Sequence, residues 1–329
     1  MRPLGRLITM AGIVALLFAG AAVAAPPPAK TAPATSSLNY VALANPTELA
    51  WPKDAPAPKK PLSPLLIDWE GDGQPDLLVS DGAGRLFLAR LQTKDFKVTI
   101  TSVETIKVSE IEIALGSACQ PNYADMDGDG LPDLIATRDG KALLYPNTGT
   151  KEKPEFSRWV LLGSGKAPVS LPEKTYDRLD VADWNRDGKL DLITAKLDGT
   201  ATVFLNRGTP KAPLFEASVR VTADGKPLDS SNTRSIRFRD VTGDGKPDLV
   251  LGTSRSHIFV YPNRSQVSMP VLSKPFIPMG ADGSPFEAKK LVDNYGMYPT
   301  VGDVNSDRVA DVIFGNDSDK LFFARGIPK

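Results

Sequence analysis

Apolar and polar residues alternate along this chain in short units. Five apolar runs, LLVS, LIAT, LITA, LVLG and VIFG, each follow a stretch dense in aspartate or glycine. A polar turn comes next (SDGAG, RDGK, LDGT, SRSH or NDSDK), then a second run, RLFLAR, ALLYPN, TATVFLN, HIFVYPN or KLFFAR. Runs this short, bounded by Gly, Asn and Asp, predict β-strands rather than helices. In the second and third copies, NTGTKEKPEF and NRGTPKAPLF lead into a further strand, FSRWVLL or FEASVRV. Counting the strand that ends on the first aspartate, each unit has four short strands, so an all-β repeat architecture is expected.

The acidic stretches are themselves a repeat. DWEGDGQPD begins at Asp68, DMDGDGLPD at Asp125, DWNRDGKLD at Asp183, DVTGDGKPD at Asp240 and DVNSDRVAD at Asp303, at intervals of 57, 58, 57 and 63 residues. Four carboxylates within nine residues, as in the second copy, repel one another unless the loop splays open in water or holds a cation. Calcium fits, because a short loop that turns every second residue inward can supply the oxygens this hard ion takes. The side chains at positions 1, 3, 5 and 9 and the carbonyl at position 7 are the expected ligands. They are Asp68, Glu70, Asp72, Gln74 and Asp76; Asp125, Asp127, Asp129, Leu131 and Asp133; Asp183, Asn185, Asp187, Lys189 and Asp191; Asp240, Thr242, Asp244, Lys246 and Asp248; and Asp303, Asn305, Asp307, Val309 and Asp311. The loop opens like an EF-hand but does not end like one: position 12, glutamate there, is Ala136 in a strand-like run. Gly130 at position 6 permits a sharp turn. Arg308 takes that place in the fifth copy, which predicts a strained and weak fifth site, with the second and third strongest.

The DxDxDGxxDL signature, with N-x-G and P-x-F downstream, resembles the FG-GAP or VCBS repeat of integrin-alpha-like proteins over nearly all the chain beyond about residue 60. The resemblance implies a β-propeller with a calcium loop between the first two strands of each four-stranded blade. It does not imply one activity. Blades of about 58 residues fit five times into the remaining length, predicting a five-bladed ring. The fifth copy lacks an outer strand, and LNYVAL (residues 38–43) is expected to supply it and close the ring.

Residues 1–24, with Arg2 and Arg6 before an apolar run that ends Ala22-Val23-Ala24, read as an export signal, and residues 25–37 as a Pro/Ala/Thr-rich linker before the propeller at 38–329. The mature protein is thus expected in the periplasm or outside the cell, with no integral membrane span. The single cysteine, Cys119, excludes an intrachain disulfide, leaving stability to blade packing and up to five Ca2+ ions. The chain is neutral overall and its basic residues are dispersed without a nucleic-acid motif, which argues against DNA or RNA. It has one histidine, His257, and no GxSxG, HExxH or phosphate loop, so no enzyme is expected. The expected role is a non-catalytic binding module for a protein or glycan. The alternatives are a lectin-like glycan-binding protein and a calcium-dependent polysaccharide lyase or hydrolase. The ligand face is expected opposite the acidic loops, with Asn122, Arg178, Asp180, Arg237, Tyr298 and Thr300 as candidates at a central mouth.

Overall fold

The computed structural model describes residues 41–108, 111–113, 115–116, 119–163, 178–216, 219–228, 230, 232–287 and 296–328. The expected export signal, the linker and the start of LNYVAL lie outside these residues, as do parts of the loops between repeats. The described residues form strands, turns and bends without a helix, and among them no helix is long and apolar enough to cross a membrane.

Each acidic loop joins the first two strands of one antiparallel sheet. The first sheet runs Ser63–Ile67, Asp76–Ser80, Leu86–Lys94 and Lys97–Thr105; the second Asn122–Ala124, Asp133–Arg138, Lys141–Tyr145 and Val160–Leu161. The third runs Leu179–Ala182, Asp191–Ala195, Ala201–Phe204 and Val219–Arg220. The fourth has three strands, Thr233–Arg239, Asp248–Thr253 and Ile258–Tyr261, with Phe276 bridging Val260 at its outer edge. The fifth has Tyr298–Gly302, Asp311–Gly315 and Leu321–Ala324.

The fourth strand of the fifth sheet comes from the N-terminal side, but it is not LNYVAL. Thr47–Leu49 pairs antiparallel with Leu321–Phe323. Val41–Leu43 instead pairs antiparallel with Gly326–Pro328 and parallel with Met279–Gly280, in a separate small sheet. The reason is register. Leu49 fits the cluster of Leu77, Val79, Phe87 and Ile313, whereas Leu43 is buried among Val260, Phe286, Phe314 and Phe322.

Alternation along the second strands explains how the sheets pack. These strands are buried on both faces, so successive apolar residues serve different neighbours. Leu78 faces Leu134 and Leu143 of the second sheet, while Leu77 and Val79 face Ile313 and Phe323 of the fifth. Ile135 meets Leu179 and Leu192 of the third sheet, Ile193 meets Leu249 and Leu251 of the fourth, and Val250 meets Val312 and Phe314 of the fifth. Each hydrophobic cluster therefore lies between two sheets, not inside one repeat.

Candidate functional site

The five acidic loops share one backbone. Positions 4 and 6 are left-handed in every copy: Gly71 and Gly73, Gly128 and Gly130, Arg186 and Gly188, Gly243 and Gly245, and Ser306 and Arg308 all have φ between 56° and 96°. Glycine takes this conformation without the Cβ penalty, so Arg308, at φ 66°, carries the strain expected of it. Position 1 holds the turn. Asp125 accepts the N–H groups of Gly128, Asp129 and Gly130 at 2.7, 3.1 and 3.0 Å. Asp68, Asp183 and Asp303 accept the N–H groups of positions 5 and 6 in their own loops, and Asp240 those of positions 4 and 6. Position 5 accepts the N–H of position 7, as Asp129 does from Leu131 at 2.8 Å.

Position 9 has a second task that sequence spacing did not reveal. Asp133 accepts Met126 N–H at 2.9 Å on one oxygen and Asn147 N–H at 2.8 Å on the other. Asp191 does so with Trp184 and Asn206, and Asp248 with Val241 and Asn263. These asparagines open the N-x-G and N-R-S turns. Asn206 Oδ1 in turn accepts Gly208 and Leu214 N–H, both at 3.0 Å, which fixes the turn. Recurrence of Asn at this place was the available signal. Asp133, Asp191, Asp248 and Asp311 are fully or almost fully buried. Burial pushes the first three up to about 6 and Asp311 up to about 7, against their backbone hydrogen bonds.

The loops differ as cation sites. In the second, Asp125, Asp127 and Asp133 each bring an oxygen to within 4.8 Å of the others. Burial, with the charge of Asp129 next, raises the Asp127 carboxyl above its ordinary value. Converging oxygens that resist sharing negative charge suit a hard divalent ion. In the third loop, Asn185 Nδ2 donates to Asp187 Oδ2 at 3.1 Å and Lys189 Nζ lies 3.4 Å from the same oxygen. In the fourth, Lys246 Nζ lies 3.1 Å from Asp244 Oδ2. In the first, Arg90 Nη1 reaches Asp76 Oδ2 at 2.9 Å and Nη2 reaches Glu70 Oε1 at 2.6 Å. The fit is therefore best in the second loop and poorest in the first.

Contacts between repeats also bear on these loops. A Cβ on Gly128 would come within 2.3 Å of Pro210 in the NRGTP turn of the next repeat. Gly71 is covered in the same way by Lys151 of the NTGTK turn.

At residues 125–194 and again at 183–251, the sequence matches the model of the FG-GAP-like repeat. Residues 125–251 carry FG-GAP-like repeats. The two matched spans each run from one acidic loop through the next, so the matched unit includes the loop, its strands and the asparagine turn described above. No curated protein matches the sequence. Solved structures similar to the chain include BBS1N in complex with ARL6DN (11% identity, 88% of this chain and 97% of that one, TM-score 0.42). A second is an Agrocybe aegerita lectin described as recognising non-reducing terminal N-acetylglucosamine (18% identity, 77% and 60%, TM-score 0.39). A third is the calcium structure of a Trichoderma reesei carbohydrate-active enzyme of family AA12 (10% identity, 90% and 98%, TM-score 0.43).

The six ligand-face candidates are not on a face. Asn122, Arg178, Asp180, Arg237, Tyr298 and Thr300 are all buried, at 5% exposure or less. The opening strands of neighbouring sheets come so close that Asn122, Asp180, Arg237 and Thr300 bond side chains or backbone of the adjacent sheet. Asn122 bonds Leu179 O and Val181 N–H at 3.0 and 3.2 Å, and Thr300 Oγ1 accepts Leu66 N–H at 3.0 Å. Asp180 accepts Phe238 N–H at 2.7 Å and pairs with Arg237 and Arg239 at 3.2 and 3.0 Å. Burial lowers the Arg237 pKa, with Asp180 acting against that shift. Tyr298 O–H meets Asp317 at 3.4 Å, and burial pushes its phenol up to about 12. Asn122, Asp180, Arg237 and Thr300 thus form interior links between sheets instead of lining a polar mouth, and Arg178 and Tyr298 are buried as well.

Proposed function

We propose that this chain is an exported, calcium-stabilised, five-bladed β-propeller that binds a protein or glycan partner without chemistry. The observation that carries the reading is the convergence of Asp125, Asp127 and Asp133 in a loop whose backbone is repeated in the other four. The blades are the five sheets, and the ring closes where the fifth packs on the first through Ile313, Phe323, Leu77 and Val79. Asp125, Asp127 and Asp133 would hold calcium in the second loop, and the buried Asp133, bonded to Asn147 N–H, would tie that site to the asparagine turn. Calcium abundant outside the cytoplasm would saturate sites of modest affinity: free ion at 100 times the dissociation constant adds about 2.7 kcal/mol per site.

Thermal unfolding of metal-stripped protein, with and without added ions, tests the reading. Calcium should raise the melting temperature clearly, and magnesium much less, because it demands a tighter octahedron. An unchanged melt after complete stripping would sink the proposal.

A further inference from the structure

The first acidic loop departs from the other four in two ways at once. It alone has Glu at position 3, and it alone has a cation bridging positions 3 and 9, whereas the lysines of the third and fourth loops each approach only the acid at position 5. Asp76 faces Arg90 across the ladder between the second and third strands of its sheet. The guanidinium donates to Glu70 Oε1 at 2.6 Å and to Asp76 Oδ2 at 2.9 Å, with Glu104 Oε1 4.0 Å away. Glu70 and Asp76 occupy positions 3 and 9, whose counterparts in the second loop, Asp127 and Asp133, converge with Asp125. The extra methylene of Glu70 lets its carboxylate reach across to the strand that carries Arg90.

The same ladder position is Pro146, Leu205 and Pro262 in the next three sheets, none of them cationic. In the fifth it is Arg325, directly after Ala324. That guanidinium is engaged elsewhere, 5.3 Å from the centroid of the Phe96 ring in the first sheet's hairpin. The first loop thus combines a lengthened acid and an arginine able to meet it, and no other loop has both.

We propose that the first acidic loop takes Arg90 as its cation and binds no metal. A guanidinium is charged at every relevant pH and offers a fixed fork of donors that matches carboxylates. A divalent ion entering this loop would have to displace that fork from both carboxylates or lie beside a permanent positive charge. Arg90 lets the first sheet keep the turn of the repeated loop without calcium, while the second loop, with its three converging carboxylates, stays free for the ion. That last clause rests on the calcium reading given above.

Calcium bound per chain, measured by equilibrium dialysis of the full chain, tests the proposal. Arg90→Met should bind one more equivalent than the wild type. Asp72→Asn, in the first loop of the wild type, should leave the count unchanged, whereas Asp129→Asn in the second should lower it. A lost equivalent on Asp72→Asn, or no gain on Arg90→Met, would overturn the assignment. If the wild type bound no calcium at all, the calcium reading would fail by itself. A double-mutant cycle of Arg90→Met with Glu70→Gln in metal-stripped protein would still decide the arginine's role. The expected result is a melting-temperature loss in each single variant and little further loss in the double. Additive losses would show that the two side chains do not act as a pair.

Discussion

Asp180 shows how much one buried side chain can hold in this protein. Its two oxygens take Arg237, Arg239 and the Phe238 N–H, and it joins the third sheet to the fourth. Arg237 is itself only 2% exposed. Removing the acid would leave a buried cation without its charge partner, which typically costs about 3–5 kcal/mol. Asp180→Ala should therefore lose stability on that scale in a urea titration, and a loss under ~1 kcal/mol would contradict the network. Gly128 and Gly130 allow a second test at the same scale. Both have positive φ, 72° and 96°, but only Gly128 lies against Pro210, and nothing lies within 4 Å of a Cβ on Gly130. Alanine at either site bears the left-handed penalty of about 1–2 kcal/mol. Gly128→Ala must also push away the next repeat, so it should unfold at clearly lower denaturant than Gly130→Ala. Equal midpoints would mean that the NRGTP turn yields freely.

Among the elements, the acidic loop was the most legible from sequence, because its hydrogen bonds run between residues two to five apart and its glycines mark the turns. Position 9 was legible as an acid but not as a clamp, since its second partner, Asn147 or Asn206, lies on another strand. Arg90 was invisible for the same reason: its meeting with Glu70 depends on cross-strand register. The opening strands misled in a different way. Alternation tells which residues share a side of a strand, but not whether that side meets solvent or a neighbouring sheet, and Asn122 and Thr300 proved to be interior. Ranking among loops can be tested directly. Asp129 and Asp307 each accept the N–H of position 7 at 2.8 Å, so without metal their loss should cost about the same. In calcium, Asp129→Ala should cost more than Asp307→Ala. The second loop has its carboxylates gathered and glycine at position 6, while the fifth has Arg308 there at φ 66°. Comparing the two melts with and without calcium separates the ion's share from the turn's share, and a gap that is unchanged on stripping would count against calcium in the second loop.

In the molecule as a whole, stability depends on contacts between repeats, because every apolar cluster spans two sheets. The repeat length was readable from the sequence, and the four-strand count was met in four of the five sheets, the fourth having three strands with Phe276 bridging its edge; the source of the last strand of the fifth was not readable, since TEL and VAL are both too short to rank by pattern. In the structure Thr47–Leu49 covers the outer edge of Leu321–Ala324, and Leu49 is 3% exposed among Leu77, Phe87 and Phe323. Val41–Leu43 binds Gly326–Pro328 instead, with Leu43 fully buried. The two segments should therefore fail differently when removed. A chain starting at Pro46 loses the small sheet and the burial of Leu43 but keeps the edge covered, so it should melt lower yet remain monomeric. A chain starting at Ala50 also loses Thr47–Leu49 and exposes a row of unpaired backbone groups on a largely apolar strand, an open template for another copy. It should associate with rising concentration in sedimentation, over a range where the Pro46 chain does not. Identical behaviour of the two chains would show that Thr47–Leu49 adds nothing beyond Val41–Leu43, and that the edge of the fifth sheet is protected by some other part of the protein.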